Sequence, residues 1–244
     1  MKNILYEDND IIVVHKPAGI ATQTARLGQQ DMVSELKNYL AKNRGTKQST
    51  DRGQGEPYLG VVHRLDQPVS GILVFAKNKE AAASLSKQVT NGTVQKFYYA
   101  VVLGEPSEKQ GRLENYLYKD GKTNLSMIVK PDFPEAKEAA LEFQWVKTLV
   151  ALEADQEVSL MRIQLLTGRH HQIRVQMSHA GMPLLGDAKY GSEESRAFDR
   201  QVGCKNVALC AYKLSFKHPK SAEKMDFEIQ PDGTIFIPFF AKGV

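Results

Sequence analysis

Four short stretches put charged or titratable side chains among apolar neighbours. His63, Arg64 and Asp66 fall within four residues, between "YLGVV" and "PVSGILVFAK". His15 and Lys16 follow the apolar run "DIIVV". Tyr98 lies in "KFYYAVVLG", and "TGRHHQIR" (167–174) groups Arg169, His170, His171 and Arg174. A carboxylate among apolar residues needs a cationic partner, because an unpaired buried charge is very costly. Arg174 is the expected partner of Asp66. Ile173, Met177 and Ala180 form one helical stripe, and Arg174 projects about 100° away from Ile173, on the side of His170. That helix is expected to bury one face and present a cation at the edge of a sheet. In extended chain Arg64 and Asp66 project on the same side. A structural ion pair or a solvent-facing turn explains the same residues, and His63, His170 and His171 are of a type that more often packs than catalyses. No His-Asp-His or Cys-Cys-His spacing recurs, so no metal site is expected.

The elements that must hold these residues follow from hydrophobic period and turn chemistry. "DIIVVHKPAG" reads as a buried strand closed by a turn. "DMVSELKNYLAKN" has Val33, Leu36 and Leu40 at helical spacing behind Asp31 as N-cap. Residues 43–57 are polar and rich in Gly, Ser and Thr, and read as a flexible loop carrying Arg44, Lys47 and Arg52. Residues 59–76 read as two strands joined through the His63–Asp66 motif. "NKEAAASLSKQVTNG" reads as a helix capped by Asn78, with Ala82, Leu85 and Val89 as its stripe and Gly92 near its end. "KFYYAVVLG", "ALEFQWVKTLV", "VSLMRIQLL", "VALCAYKLSFKHP" and "MDFEI" are strand-like. "GRHHQIRVQMSHAG" reads as a helix ending at Gly181. Strands outnumber helices without strict alternation, which argues for an α+β domain with a mainly antiparallel sheet.

Composition bounds the function classes. The 244 residues are 42% hydrophobic and 25% charged, with a net charge of +4, ordinary values for a globular chain. The sequence pI of about 8.9 fits a polyanionic partner and fits many other enzymes too. No apolar run approaches the roughly 20 residues of a membrane span, and the N-terminus lacks a secretory leader's pattern. Cys204 and Cys210 are too few for a four-ligand zinc site; they read as two reduced thiols of a cytoplasmic protein, with a bridge between them as the alternative.

"HRLDQPVSGILVFAK" resembles the signature of the RluA-type pseudouridine synthases, His-Arg-Leu-Asp followed by two variable residues and Ser-Gly. "VVHKPAGIATQ", "KFYYAVVLG", "LLTGRHHQIRVQMSHAGMPLLGDAKYG" and "ALCAYKLSFKHP" are similar to four further motifs of that family, in the same order, over residues 8–220. Val69 stands where the family usually has Thr, and Gln176 and Cys210 each replace a common His. The resemblance implies a mixed, mainly antiparallel sheet with flanking helices and a central catalytic cleft, and neither cofactor nor metal. Residues 1–244 would form a single catalytic domain, without the small N-terminal RNA-binding domain that the family often carries.

By the same resemblance Asp66 is the essential aspartate, Tyr98 packs on the target uracil, and Arg174 pairs with the aspartate. Arg64 helps to hold the nucleotide flipped from the RNA. His63, Lys16, Arg169 and His171 are expected RNA contacts. The reaction breaks the C1′–N1 bond of uridine, turns the uracil and rejoins it through C5. The uracil must first leave the stack. The carboxylate then attacks the sugar, or removes a proton from C2′ to pass through a glycal, and both routes stay open. The expected partner is a stem-loop of rRNA or tRNA, engaged by a monomer. Two other readings compete. A non-catalytic RNA binder has no need of a buried charged pair. An enzyme acting on free nucleosides has no need of surface basic residues.

Overall fold

The computed structural model describes residues 3–24, 28–44, 55–151 and 153–241. Lys47 and Arg52 of the expected loop lie outside the described residues. In chain order the elements are β1 (Ile4–Glu7), β2 (Ile11–Lys16), α1 (Met32–Arg44), β3 (Gly60–Val61), β4 (Ser70–Ala76), α2 (Lys79–Thr90) and β5 (Gln95–Leu103). There follow β6 (Gln110–Asp120), β7 (Leu125–Val129), β8 (Lys137–Ala151), β9 (Gln156–Leu165), α3 (Gln172–His179) and α4 (Glu193–Val202). The chain closes with β10 (Leu209–Lys217), β11 (Lys224–Glu228), a 3-10 turn at Thr234–Phe236 and α5 (Ile237–Phe240). Two compact units result. The first comprises Met1–Val94 and Leu214–Glu228, and the second Gln95–Lys213 and Ile229–Val244.

In the first unit β2 pairs antiparallel with β1 and with β4, and β3 pairs antiparallel with β4. Ile11, Ile12, Val13 and Val14 are all buried, as is every residue of β4. Strands buried on both faces have no use for polar alternation, which is why both read as continuous apolar runs. Asp31 caps α1 by accepting from the amide of Ser34 at 2.7 Å, and Met32, Val33, Leu36 and Leu40 form its buried stripe. The helix runs through Arg44, so the first positions of the expected loop are helical. Asn78 caps α2 through the amide of Ala81. Its buried stripe is Ala81 and Leu85, rotated from the expected one, with Ala82 and Val89 only partly covered.

The second unit is built on an antiparallel sheet in the order β5-β9-β8-β6-β7. Directly opposite residues of antiparallel strands share a face. Tyr98, Ile163, Phe143 and Gly111 therefore line up on one face, joined by Leu141, Ala139 and Leu117. Helix α3 packs on that face, where Val175 clusters with Leu117 and Ala139. Val101 and Leu160 point to the opposite face, into a core with Phe198 of α4, Tyr212 of β10 and Phe239 of α5. The elements β1, β6, β7, α4 and α5 lie outside those that the sequence pattern singles out. They are short, or carry polar residues at more than half their positions.

Two glycines hold backbone that other residues resist. Gly71, the second residue of β4, takes φ +134° opposite Lys16. Gly186 sits at φ +71°, and a Cβ there would lie 1.9 Å from the carbonyl oxygen of Asn206. Gly186→Ala is expected to cost at least about 2 kcal/mol through strain and overpacking, read as a melting temperature lower by roughly 4 °C or more. Cys204 and Cys210 are both free thiols. Burial, and then the charge of Asp199, push the Cys204 thiol up to about 11. Cys204 is therefore expected to resist iodoacetamide at pH 8 in the native protein and to react once the chain is unfolded.

Candidate functional site

In the first unit the segment from Val62 to Val69 is irregular but tightly held. Leu65 is buried, Arg64 exposed and Asp66 half-buried. That is the alternation of an extended chain, with Leu65 as the anchor and its two charged neighbours on the other side. Thr22 fixes Leu65 at both backbone groups: its hydroxyl donates to the carbonyl at 2.9 Å and accepts from the amide at 3.1 Å. Gln67 is tied to Gly19 in both directions, by Gly19 N to its carbonyl and by its own side-chain amide to the Gly19 carbonyl. The amide of Val69 bonds back to the carbonyl of Asp66 at 3.1 Å and closes a β-turn.

The expectation of RNA contacts at Lys16 and His63 meets two residues engaged inside the unit. Lys16 is fully buried, and its ammonium donates to the carbonyls of Pro17, Ile20 and Gln67. Its place is a brace beneath the Asp66 turn. His63 accepts the backbone amide of Val74 on Nε2 at 3.2 Å, so its ring extends the short ladder of β3 along β4. Of Lys16, His63 and Arg64, Arg64 alone stands open to solvent.

In the second unit a network surrounds Arg174. Its guanidinium is 4% exposed and makes a two-pronged pair with Asp187, Nε to Oδ2 and Nη2 to Oδ1, both at 2.7 Å. Asp187 is itself fully buried, and its Oδ1 also accepts the amides of Lys189 and Tyr190. The Tyr190 ring lies 5.2 Å below the Arg174 guanidinium, and its hydroxyl is 2.8 Å from His171 Nδ1. His171 stacks on His170 with centroids 3.7 Å apart. Ser126 donates its hydroxyl to the His170 carbonyl at 2.7 Å, so the His170 Nδ1 at 2.9 Å is the donor to Ser126. His171 is buried in this network and is a support for Arg174.

Helix α3 departs from the expected one in two ways. It begins at Gln172, because His171 takes a left-handed conformation at φ 52°. It is buried on every side from Gln172 to Met177, and Ala180 is exposed. Gln172 binds the carbonyl of Ala140 and accepts from Thr167 and from the amide of Arg169. Gln176 donates toward Leu113, Asn115 and Ala139. These two amides lay α3 on the same face of the sheet as Tyr98. On that face Lys96 is half-buried, and desolvation lowers its pKa. Arg169 is exposed, and among the described residues only its Nε is held, by the Glu138 carbonyl.

Sequence reasoning missed Asp187 and Tyr190. The signal was present in "GDAKYG" (186–191), where a buried carboxylate two residues after an apolar pair calls for a cation. Among the described residues, one trio brings metal-capable atoms within 4.8 Å of one another, Asp8, Asp10 and His218. His218 accepts the amides of Lys220 and Ser221 on Nδ1 and approaches Asp8 Oδ2 at 2.8 Å through Nε2. That corner is a hydrogen-bonded junction within the first unit.

Residues 10–179 match the RNA pseudouridylate synthase family. The chain belongs to this family. It is 38% identical over 226 residues to an uncharacterized RNA pseudouridine synthase, YlyB, of Bacillus subtilis (strain 168), covering 93% of this chain and 68% of the relative. It is 32% identical over 231 residues to tRNA pseudouridine synthase C of Haemophilus ducreyi, covering 91% and 88%. The solved structure of human RNA pseudouridylate synthase domain containing 1 superposes with a TM-score of 0.72 at 24% identity, covering 94% of this chain and 83% of that one. That likeness concerns the fold, and it agrees with the mainly antiparallel α+β architecture. A pseudouridine synthase is an isomerase, and the enzyme class of this chain follows from its family.

Removing Asp187 would leave the Arg174 guanidinium without its two-pronged carboxylate in a site with little water. Asp187→Ala is expected to cost about 3–5 kcal/mol and to lower activity with it. An unchanged denaturation midpoint would show that the pair is dispensable.

Proposed function

We propose that this chain converts a uridine of tRNA or rRNA to pseudouridine, with Asp66 as the carboxylate that acts on the ribose. The observation that carries the reading is the segment Arg64–Leu65–Asp66. Leu65 is locked by Thr22, and a cation and a carboxylate stand on the same side of an extended chain, in a member of the RNA pseudouridylate synthase family. The name of the Haemophilus relative supports tRNA as a substrate class.

In this reading the target nucleotide leaves its stack, and Arg64 holds the opened backbone by its phosphate charge. Tyr98 offers the uracil an aromatic face, worth about 1–3 kcal/mol per stacked base. Arg174, oriented by Asp187 and Tyr190, contributes a fixed positive charge to the reaction. Arg169 adds a second exposed contact to the RNA. The C1′–N1 bond breaks, a C1′–C5 bond forms, C5 loses its hydrogen and N1 gains one, so the reaction is an isomerisation with no external reactant. We further propose that residues 1–244 act as one catalytic domain, as a monomer and in the cytoplasm. No helix among the described residues is long and apolar enough to cross a membrane.

The loss of hydrogen from C5 supplies the assay. Purified protein is expected to release tritium from RNA labelled with [5-³H]uridine and taken from cells lacking this gene. Asp66→Asn and Asp66→Ala are expected to release less than about a tenth as much, a loss of at least about 1.4 kcal/mol in transition-state stabilisation, while binding the RNA as the parent does. Turnover above that level by both variants removes Asp66 from the reaction.

A further inference from the structure

A cavity of about 520 Å³ opens beside the 167–171 loop, lined among others by Lys119, Lys137, Arg169, His170 and Glu135. Its volume is in the range of small-ligand sites, about 300–1,000 Å³. Strand register builds it. Lys137 lies opposite Leu117, and Lys119 opposite Ser126. By the face rule both lysines project on the side of the sheet that carries Tyr98 and α3. Leu117 and Ser126 are buried and form a floor, and Lys119, Lys137 and Arg169 are exposed above it.

The charges of this cavity are poorly balanced. Among the described residues neither Lys119 nor Lys137 has an ion-pair partner, and Arg169 is held only through Nε, so its two terminal amino groups remain available. Glu135 is the single carboxylate of the lining and makes no ion pair among the described residues. Three cations converging with one anion repel one another unless an anionic ligand joins them. The wall of the cavity is also the end of the Arg174 network, because His170 bonds to Ser126 and stacks on His171, which meets Tyr190.

We propose that this cavity binds a backbone phosphate of the substrate RNA, at a nucleotide flanking the target uridine. Lys119 and Lys137 act as point charges, and Arg169 presents the planar end of its guanidinium to the phosphate oxygens. Glu135 opposes the ligand and keeps the site from holding phosphate indiscriminately. The inference rests on the RNA-modifying reading above and adds to it a second anchoring point.

The test is the affinity of the full chain for a fluorescein-labelled, uridine-containing RNA stem-loop across a salt titration. Each single-strand phosphate contact contributes about 0.7 to the log–log salt slope, so Lys119→Gln with Lys137→Gln, which removes this one contact, is expected to flatten the slope by about 0.7. At 0.1 M salt that corresponds to roughly 5-fold weaker binding, with the melting temperature unchanged. Glu135→Gln is expected to tighten binding. Lys205→Gln with Lys220→Gln, two exposed lysines elsewhere, is expected to keep the parent slope. Equal flattening by both lysine pairs, or none by the first, overturns the cavity as a site. Inorganic phosphate added at matched ionic strength is expected not to displace the stem-loop; displacement would assign the cavity to free phosphate and overturn the RNA assignment. A parent protein that neither binds the stem-loop nor releases tritium from labelled RNA overturns the enzymatic reading itself, an outcome distinct from failure of the variants alone.

Discussion

The geometry of the first unit depends on an ammonium group buried away from the protein surface. Lys16 ends a strand whose other residues are nearly all buried hydrocarbon, and its charge is answered by the carbonyls of Pro17, Ile20 and Gln67. Burying a cation is costly unless polar groups replace its hydration. Here they do so by drawing two separate segments, 17–20 and the turn at Gln67, onto one point. Thr22 then clamps Leu65, and the turn from Asp66 to Val69 has little freedom left. A carboxylate that must meet one atom of a ribose gains from such constraint, because loose positioning within even an ångström is expensive in rate.

The second unit solves the same problem with a different chemistry. Arg174 is fixed by a buried two-pronged pair with Asp187 and by the Tyr190 ring, and the backbone amides of Lys189 and Tyr190 hold Asp187 in turn. A single buried ion pair is weak evidence of stability, since desolvation offsets its attraction. A pair whose remaining lone pairs are filled by amides gives direction to a guanidinium instead. The left-handed His171 at the start of α3 belongs to this arrangement, because it turns two imidazole rings toward Ser126 and Tyr190. Strain of that kind survives only where surrounding contacts determine it.

Much of this is legible in the sequence. Polar residues inside apolar runs pointed to the Asp66 segment, and the alternation at 64–66 followed from strand geometry. Asp31 and Asn78 were readable as caps because the short polar side chain has a defined backbone amide to take. What escaped depends on register. That Lys137 faces Leu117, or that Lys119 faces Ser126, is decided by the pairing of β6 with β8 and β7, which no local pattern encodes. The burial of Lys16 and His171 escaped for a related reason. A cation or imidazole in sequence carries no mark of whether carbonyls or solvent will surround it. Helix α3 misled because its polar glutamines are spent on strand carbonyls, so a helix that reads as amphipathic is buried on every side from Gln172 to Met177.

The central claim is that Asp66 acts on uridine in RNA. It is tested most directly by mapping pseudouridine in RNA from cells that lack this gene, resupplied with the native chain or with Asp66→Asn at equal protein level. The account predicts at least one position that loses pseudouridine in the deletion, regains it with the native chain and stays uridine with the variant. An unchanged map in the deletion, or restoration by Asp66→Asn, would contradict it.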